Sequence, residues 1–226
     1  MNELSLFTGV GGGLLGTSLL GLRTICAVEN HPHAIDALMQ RQDDGILEPF
    51  PIWDNICTFD GLPWRGRAPF VSAGFPCQAF STAASGQNVS DDLWPETRRI
   101  VADVAAWYVF AENVSKRAID TAADDLEQMG YQTRAISLGA ADLGGDHVRT
   151  RYWLLAYADD KSELQRCINA EMAGSAGLCG GVWQAEPDES GVDDGLSGRV
   201  DRYRATGNGQ IPIVAAAALH ALAFCD

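Results

Sequence analysis

Leu4-Ser5-Leu6-Phe7-Thr8-Gly9-Val10-Gly11-Gly12-Gly13-Leu14 decides how this chain folds. Leu4 to Phe7 is a short apolar strand, six residues rich in glycine follow, and Leu14 to Leu20 reads as a helix. Strand, glycine loop and helix form the opening unit of a doubly wound α/β sheet. Glycines let the backbone approach a ligand closely, and a helix N-terminus offers free N–H groups. A second strand, Thr24-Ile25-Cys26-Ala27-Val28, ends in Glu29. A carboxylate at that point is where such folds hold a ribose diol, so loop and acid together point to a nucleoside-bearing cofactor. A plain tight turn is the other reading of the glycines.

The second anchor is Gly74-Phe75-Pro76-Cys77-Gln78-Ala79-Phe80-Ser81. The apolar run from Pro69 to Ala73 leads into it as a buried strand. A thiol on a loop at a strand's end stands where an α/β enzyme tends to keep its chemistry. Pro76 fixes its own φ and restricts Phe75, so the loop holds the thiol with little freedom. From the octet alone Cys77 reads either as a nucleophile or as a small core hydrophobe.

The remaining elements follow in order. His33 to Gln42 reads as a helix with Pro32 at its start. Pro51 to Ile56 is a third strand, ending in polar residues within reach of an adenine. Residues 82–92 are small and polar and read as a loop. Leu93 to Ala106 is a helix, and Trp107 to Ala111 a fifth strand ending in Glu112-Asn113-Val114. Asp120 to Met129 is a helix stopped at Gly130. Tyr131 to Leu138 and Tyr152 to Tyr157 read as an antiparallel pair, with His147-Val148-Arg149-Thr150-Arg151 between them. From 159 to 200 no period is sustained. Order returns at Arg202, passes through Gly207-Asn208-Gly209-Gln210, and ends in a helix from Ile213 to Phe224. The expected organisation is a catalytic and cofactor-binding domain over 1–158, a small irregular lobe over 159–202, and a C-terminal motif and helix over 203–226 that packs back on the first domain.

A chain of 226 residues, 46% hydrophobic, has room for one such domain and a small lobe. No apolar run is long enough to span a membrane, and the N-terminus lacks a basic n-region followed by an h-region. A cytoplasmic monomer is expected. The six cysteines show neither CxxC nor metal-ligand spacing, so free thiols and no metal site are expected. The net charge of −14 sets the overall field against nucleic acid. Basic residues do cluster locally, at Arg149 and Arg151 and again at Arg199, Arg202 and Arg204.

The glycine loop, Glu29, Cys77 and Glu112 all fall at carboxyl ends of strands, which line one crevice in an open α/β sheet. A thiol, a carboxylate and a pair of arginines converging beside a nucleoside cofactor suit covalent catalysis on an electrophilic ring. The bland alternatives are a solvated or capping acid for Glu112 and surface charge for Arg149 and Arg151.

The ordered set Phe7-Thr-Gly-Val-Gly-Gly12, Glu29, Gly74-Phe-Pro-Cys-Gln78, Glu112-Asn-Val114, Arg149-Thr-Arg151 and Gly207-Asn208 resembles the DNA (cytosine-5) methyltransferase family. Leu93-Trp94 after the thiol loop adds to it. The likeness covers about 1–158 and 203–224 and is strongest to short phage and prophage members, whose tails carry Arg-Val-Asp-Arg before Gly-Asn-Gly. The resemblance implies a Rossmann-like methyltransferase fold, S-adenosyl-L-methionine as cofactor, and double-stranded DNA as partner. It implies Cys77 as the thiolate attacking C6 of a flipped cytosine, with Glu112, Arg149 and Arg151 beside it. It assigns Phe7, Gly9, Gly11, Gly12, Glu29, Asn55, Ile56, Pro76, Leu93 and Asn208 to the cofactor, and Gln78, Ser81, Asn113 and Val114 to the substrate. The chain departs from the family pattern at Ser5 and Asn55, where the family usually has Asp, and at Asn30, which replaces a bulky residue. It also departs in the short acidic stretch 159–206, where the family carries its DNA-reading lobe.

Three functions stay in competition. The first is methyl transfer to cytosine in DNA, with RNA as a variant substrate. The second is a protein that keeps the fold but binds without catalysis. The third takes Gly11-x-Gly13-x-x-Gly16 as a dinucleotide fingerprint of a dehydrogenase, a weak signal on its own.

Overall fold

A computed structural model describes residues 1–76, 92–174 and 209–225. Seven strands form one sheet: β1 (Asn2–Leu6), β2 (Arg23–Val28), β3 (Ile52–Trp53), β4 (Phe70–Ala73), β5 (Tyr108–Asn113), β6 (Gln132–Leu138) and β7 (Arg151–Tyr157). Their spatial order is β3-β2-β1-β4-β5-β7-β6. The first five pair in parallel, and β7 runs antiparallel between β5 and β6. The doubly wound expectation holds, including the antiparallel final pair. Chain order reverses on either side of β1 and β4, and a ligand crevice opens at such a switch point.

Among the described residues, six α-helices cover the two faces: α1 (Gly12–Ser18), α2 (Pro32–Asp43), α3 (Trp94–Val104), α4 (Lys116–Gln128), α5 (Ser162–Gly174) and α6 (Pro212–Phe224). Alternation along the strands sorts the core. Val71 and Ala73 join Leu4, Leu6, Ile100 and Leu126 under α3 and α4. Phe70, Phe110 and Trp153 face the other way and join Leu164, Ile168, Leu219 and Leu222 of α5 and α6. Leu14, Ala27 and Leu38 form a smaller cluster between α1, β2 and α2. Helix α6 is apolar around most of its circumference, as a buried helix must be.

Four boundaries differ from the sequence reading. Strand β3 keeps only Ile52 and Trp53, because the Asn55 side chain accepts from the Cys57 N–H at 2.9 Å and turns the chain. Strand β5 runs on to Asn113, since Glu112 and Asn113 pair with Trp153 and Tyr152 of β7. Helix α4 starts at Lys116, where the Ser115 hydroxyl accepts from the Ala118 N–H at 3.4 Å. Finally, 162–174 is a helix, not irregular chain. Its Leu164 and Ile168 are fully buried at helical spacing, a signal hidden in sequence by the surrounding Asp, Glu and Gly residues.

Two contacts hold the centre together. On α1, a Cβ placed on Gly16 would lie 2.6 Å from the Pro212 carbonyl and 2.8 Å from the Ala215 Cβ, so α1 and α6 meet backbone to backbone. In the middle of the sheet, Glu3 is fully buried. Its carboxyl accepts from Thr17 Oγ1 at 2.7 Å, Thr24 Oγ1 at 3.4 Å and Ser72 Oγ at 2.5 Å. Burial outweighs these bonds and pushes Glu3 up to about 6 from 4.5.

Gly16→Val is therefore expected to lower the unfolding free energy by about 2–3 kcal/mol in chemical denaturation, as overpacking against immovable backbone does. For Glu3 the folded state keeps a proton that the unfolded chain releases between pH 4.5 and about 6. Stability thus falls as pH climbs through that window and stays lower above it. Glu3→Gln is expected to unfold at higher denaturant at pH 8, by about 2 kcal/mol, with the advantage gone below pH 4.5. An equal effect at both pH values would refute this account of Glu3.

Candidate active site

The turn after β1 is held from several sides. Phe7 has φ +54°, a left-handed conformation uncommon outside glycine and concentrated at functional sites. The Thr8 hydroxyl lies 3.2 Å from both the Ser5 carbonyl and the Ser5 hydroxyl. The Gly9 N–H donates to Glu29 Oε2 at 2.6 Å, which links the loop to the end of β2. Glu29 Oε1 accepts from the N–H groups of Asn30 and His31 at 3.0 and 2.8 Å. Three backbone donors therefore fix a carboxylate that offers about four lone-pair sites, which leaves room for one further donor on Oε2. Arg41 of α2 donates to the Val10 carbonyl and steadies the same loop.

Across the cleft, Glu112 is 7% exposed at the carboxyl end of β5. Arg151 Nε lies 3.1 Å from its Oε1, with both side chains largely buried. Gln210 Nε2 donates to its Oε2 at 3.2 Å. Burial raises the Glu112 pKa above the ordinary carboxylate range, opposed by Arg151, Gln210 and Arg149. For Arg149, burial and the neighbouring Arg151 push the guanidinium down, and Glu112 opposes them. Arg149 Nη2 also donates to the Gly209 carbonyl at 2.6 Å. A buried carboxylate with two arginines around it is stable only as a set, because removing either sign leaves an uncompensated charge.

The thiol loop begins within the described residues. Phe75 is buried against Trp94 of α3, ring centroids 4.8 Å apart. The Asn113 Nδ2 donates to the Phe75 carbonyl at 2.8 Å, and its Oδ1 accepts from the Ser115 N–H at 2.9 Å. Asn113, 3% exposed, thus ties the chain two residues before Cys77 to the residue beside Glu112. Gly74 sits between them: a Cβ there would meet Gln210 Nε2 at 3.0 Å and Glu112 Oε2 at 3.5 Å.

One cleft brings together Ser5, Phe7, Gly9, Gly13, Gly74, Glu112 and Gln210. Among the residues singled out from sequence, Phe7, Gly9 and Glu112 line it. Glu29, Arg149 and Arg151 join it through Gly9, Gly209 and Glu112, and Gly12 touches Gln210. Gly11, Asn55, Ile56, Pro76, Leu93 and Val114 are not part of its lining. Gly11 is the left-handed N-cap of α1. Ile56 is buried in the core, Leu93 packs against it, and Val114 is 55% exposed. Cys77, Gln78, Ser81 and Asn208, with loop residues 82–91, lie outside the described residues. Sequence reasoning did not assign Gln210 to the site. Its only signal is its place directly after Gly207-Asn208-Gly209.

Residues 1–176 match the family described as C-5 cytosine-specific DNA methylase. Among curated relatives, the type II methyltransferase M.Eco47II of Escherichia coli is 28% identical over 142 residues, 57% of this chain and 32% of that protein. M.CviJI of a Paramecium bursaria Chlorella virus is 25% identical over 177 residues, 74% of this chain and 46% of that one. This chain therefore spans less than half the length of either. Among solved structures, a prophage-encoded E. coli protein assigned as a DNA modification methyltransferase superposes with a TM-score of 0.55 at 23% identity. That superposition covers 70% of this chain and 46% of the other, and it speaks to the fold alone. With the family match spanning well over half of the 226 residues, the chain belongs to the C-5 cytosine-specific DNA methylase family.

Proposed function

We propose that this chain transfers a methyl group from S-adenosylmethionine to C5 of a cytosine in DNA, with Cys77 as nucleophile. The observation that carries the reading is the buried Glu112, paired with Arg151 and facing the Phe7–Gly13 loop across one cleft. The loop fits the cofactor: Gly9 has open space around the position of a Cβ, and Glu29 is anchored to its N–H. Phe7, Gly9 and Glu29 would hold it. When bound, S-adenosylmethionine supplies an electrophilic methyl group for C5.

The chain's own residues do the rest. The Cys77 thiolate adds to C6 of the ring, and the C5–C6 electron pair moves toward C5. The displaced charge is met at N3 by the Glu112 carboxyl, kept neutral into a higher pH range by its burial. Arg151 holds that carboxyl through Oε1, and the Arg149 charge lies close by. Solvent then takes the proton from C5, that electron pair re-forms the C5–C6 double bond as the Cys77 sulfur leaves C6 as thiolate, and the proton shared at N3 returns to Glu112. C6 is out of reach in stacked duplex DNA, so the base must be flipped into the cleft. Helix α5 packs on the sheet through Leu164 and Ile168.

The net charge of −14 favours a second reading, a protein that binds the cofactor without methylating DNA. Transfer of labelled methyl from the cofactor to duplex DNA, abolished by Cys77→Ser, is the expected result. So is a covalent complex with DNA containing 5-fluorocytosine. Cofactor binding by a folded chain with neither outcome would leave the second reading standing, and transfer only to RNA would move the substrate class. In the active enzyme, kcat/KM for DNA is expected to fall as pH rises through the Glu112 pKa, because the protonated carboxyl is the working form. Glu112→Gln should erase that limb and lower kcat by about 10²–10⁴-fold.

A further inference from the structure

The two oxygens of Glu112 are held by parts of the chain far apart in sequence. Arg151 of β7 holds Oε1, and Gln210, 98 residues beyond Glu112, holds Oε2. We infer that Gln210 is a positioning residue for Glu112, fixing the plane of its carboxyl from the cofactor side of the cleft. The catalytic meaning of this rests on the methyltransferase reading above; the contact itself does not.

Three observations support it. The Gln210 backbone has no freedom to shift: its carbonyl oxygen lies 2.0 Å from where a Gly12 Cβ would stand, and Arg149 clamps the preceding carbonyl at 2.6 Å. Pro212 opens α6 two residues later and restricts Ile211. The side chain is guided as well, with Oε1 2.3 Å from the Cβ position of Gly13 and Nε2 3.0 Å from that of Gly74. Finally, a glutamate's terminal torsion is broad and roughly two-fold, so the single Arg151 contact leaves the carboxyl plane free to turn. A second contact on the other oxygen fixes it and satisfies an acceptor that would otherwise be buried without a partner.

A primary amide suits this place. It carries no charge at any working pH, and it can donate through Nε2 to a carboxylate or accept through Oε1 from a protonated carboxyl. Gln210 therefore holds Glu112 in either protonation state, which a lysine or a second carboxylate could not do. Because the same side chain lies along Gly13 and Gly74, it fixes Glu112 relative to both the glycine loop and the strand that leads to Cys77.

The test uses the full chain with Gln210→Met, which keeps length and volume but removes both polar atoms, and Gln210→Glu, which keeps the reach and adds charge. The Glu112 carboxyl is titrated by carbon-13 NMR, assigned with Glu112→Gln. Loss of the donated bond is expected to raise its midpoint by roughly half a pH unit or more in the Met variant, and further in the Glu variant. In methyl transfer, the Met variant should lose about tenfold or more in kcat, with KM for cofactor and DNA within about threefold. An unmoved midpoint in whichever variant melts like the parent overturns the proposal, as does an unchanged kcat. Transfer by the parent with an unmoved midpoint removes Gln210's role and leaves the methyltransferase reading intact. A moved midpoint in a parent that neither transfers methyl nor traps 5-fluorocytosine DNA keeps the contact and overturns that reading.

Discussion

Bare backbone on one side of α1 is the constraint on which the site depends. Gly12, Gly13 and Gly16 leave no room for side chains, and Gln210, Pro212 and Ala215 occupy that space. Helix α6 is thereby drawn onto α1 and completes the core over Phe70, Phe110 and Trp153. The same approach carries the 209–211 segment into the crevice, where Gly209 meets Arg149 and Gln210 meets Glu112. The first loop of the chain and its last helix are one structural unit, and the candidate acid stands between them.

Among the buried carboxyl groups of the described residues, Glu3 and Glu112 lie on strands and are held differently. Glu3 is met by three hydroxyls, which donate hydrogen bonds but carry no charge, so burial dominates. Glu112 is met by a guanidinium with a second one close by, and an amide donates to its other oxygen. The difference suits their positions. Glu3 joins β1, β2, β4 and α1 in the interior, whereas Glu112 faces a cleft where a ligand can share the work of the arginines. In a chain of net charge −14, the cationic groups at this cleft are a local exception maintained by burial beside an acid.

Much of the architecture was legible in the residues. The step from Leu4-Ser5-Leu6-Phe7 into glycines, and the acid ending Thr24–Val28, announced a parallel sheet with a switch point, because those patterns arise from strand alternation and loop sterics over a few residues. The antiparallel pairing of β6 and β7 was legible from their short separation. The shortening of β3 depended on one side chain, Asn55, choosing its neighbour's backbone. Helix α5 was obscured because its buried positions, Leu164 and Ile168, lie among exposed acids and gain meaning only once the sheet supplies a surface to cover. At the site, the family resemblance carried by the motifs picked out Phe7, Gly9, Glu29, Glu112, Arg149 and Arg151, and the fold brings these together. It did not separate them from Asn55, Ile56, Leu93 and Val114, which do not line the same cleft.

By itself, then, the sequence determined the kinds of element, their order, and the residue types at the strand ends, since each follows from local propensity and period. Only the tertiary structure decided which of those residues share a cleft and which atoms they offer. Asn113 shows why: in sequence it is one polar residue after an acid, and in the fold it pins the Phe75 carbonyl two residues before Cys77. Gln210 shows it again, because a hydrogen bond spanning 98 residues depends on glycine packing at the opposite end of the chain, and no local rule encodes that distance.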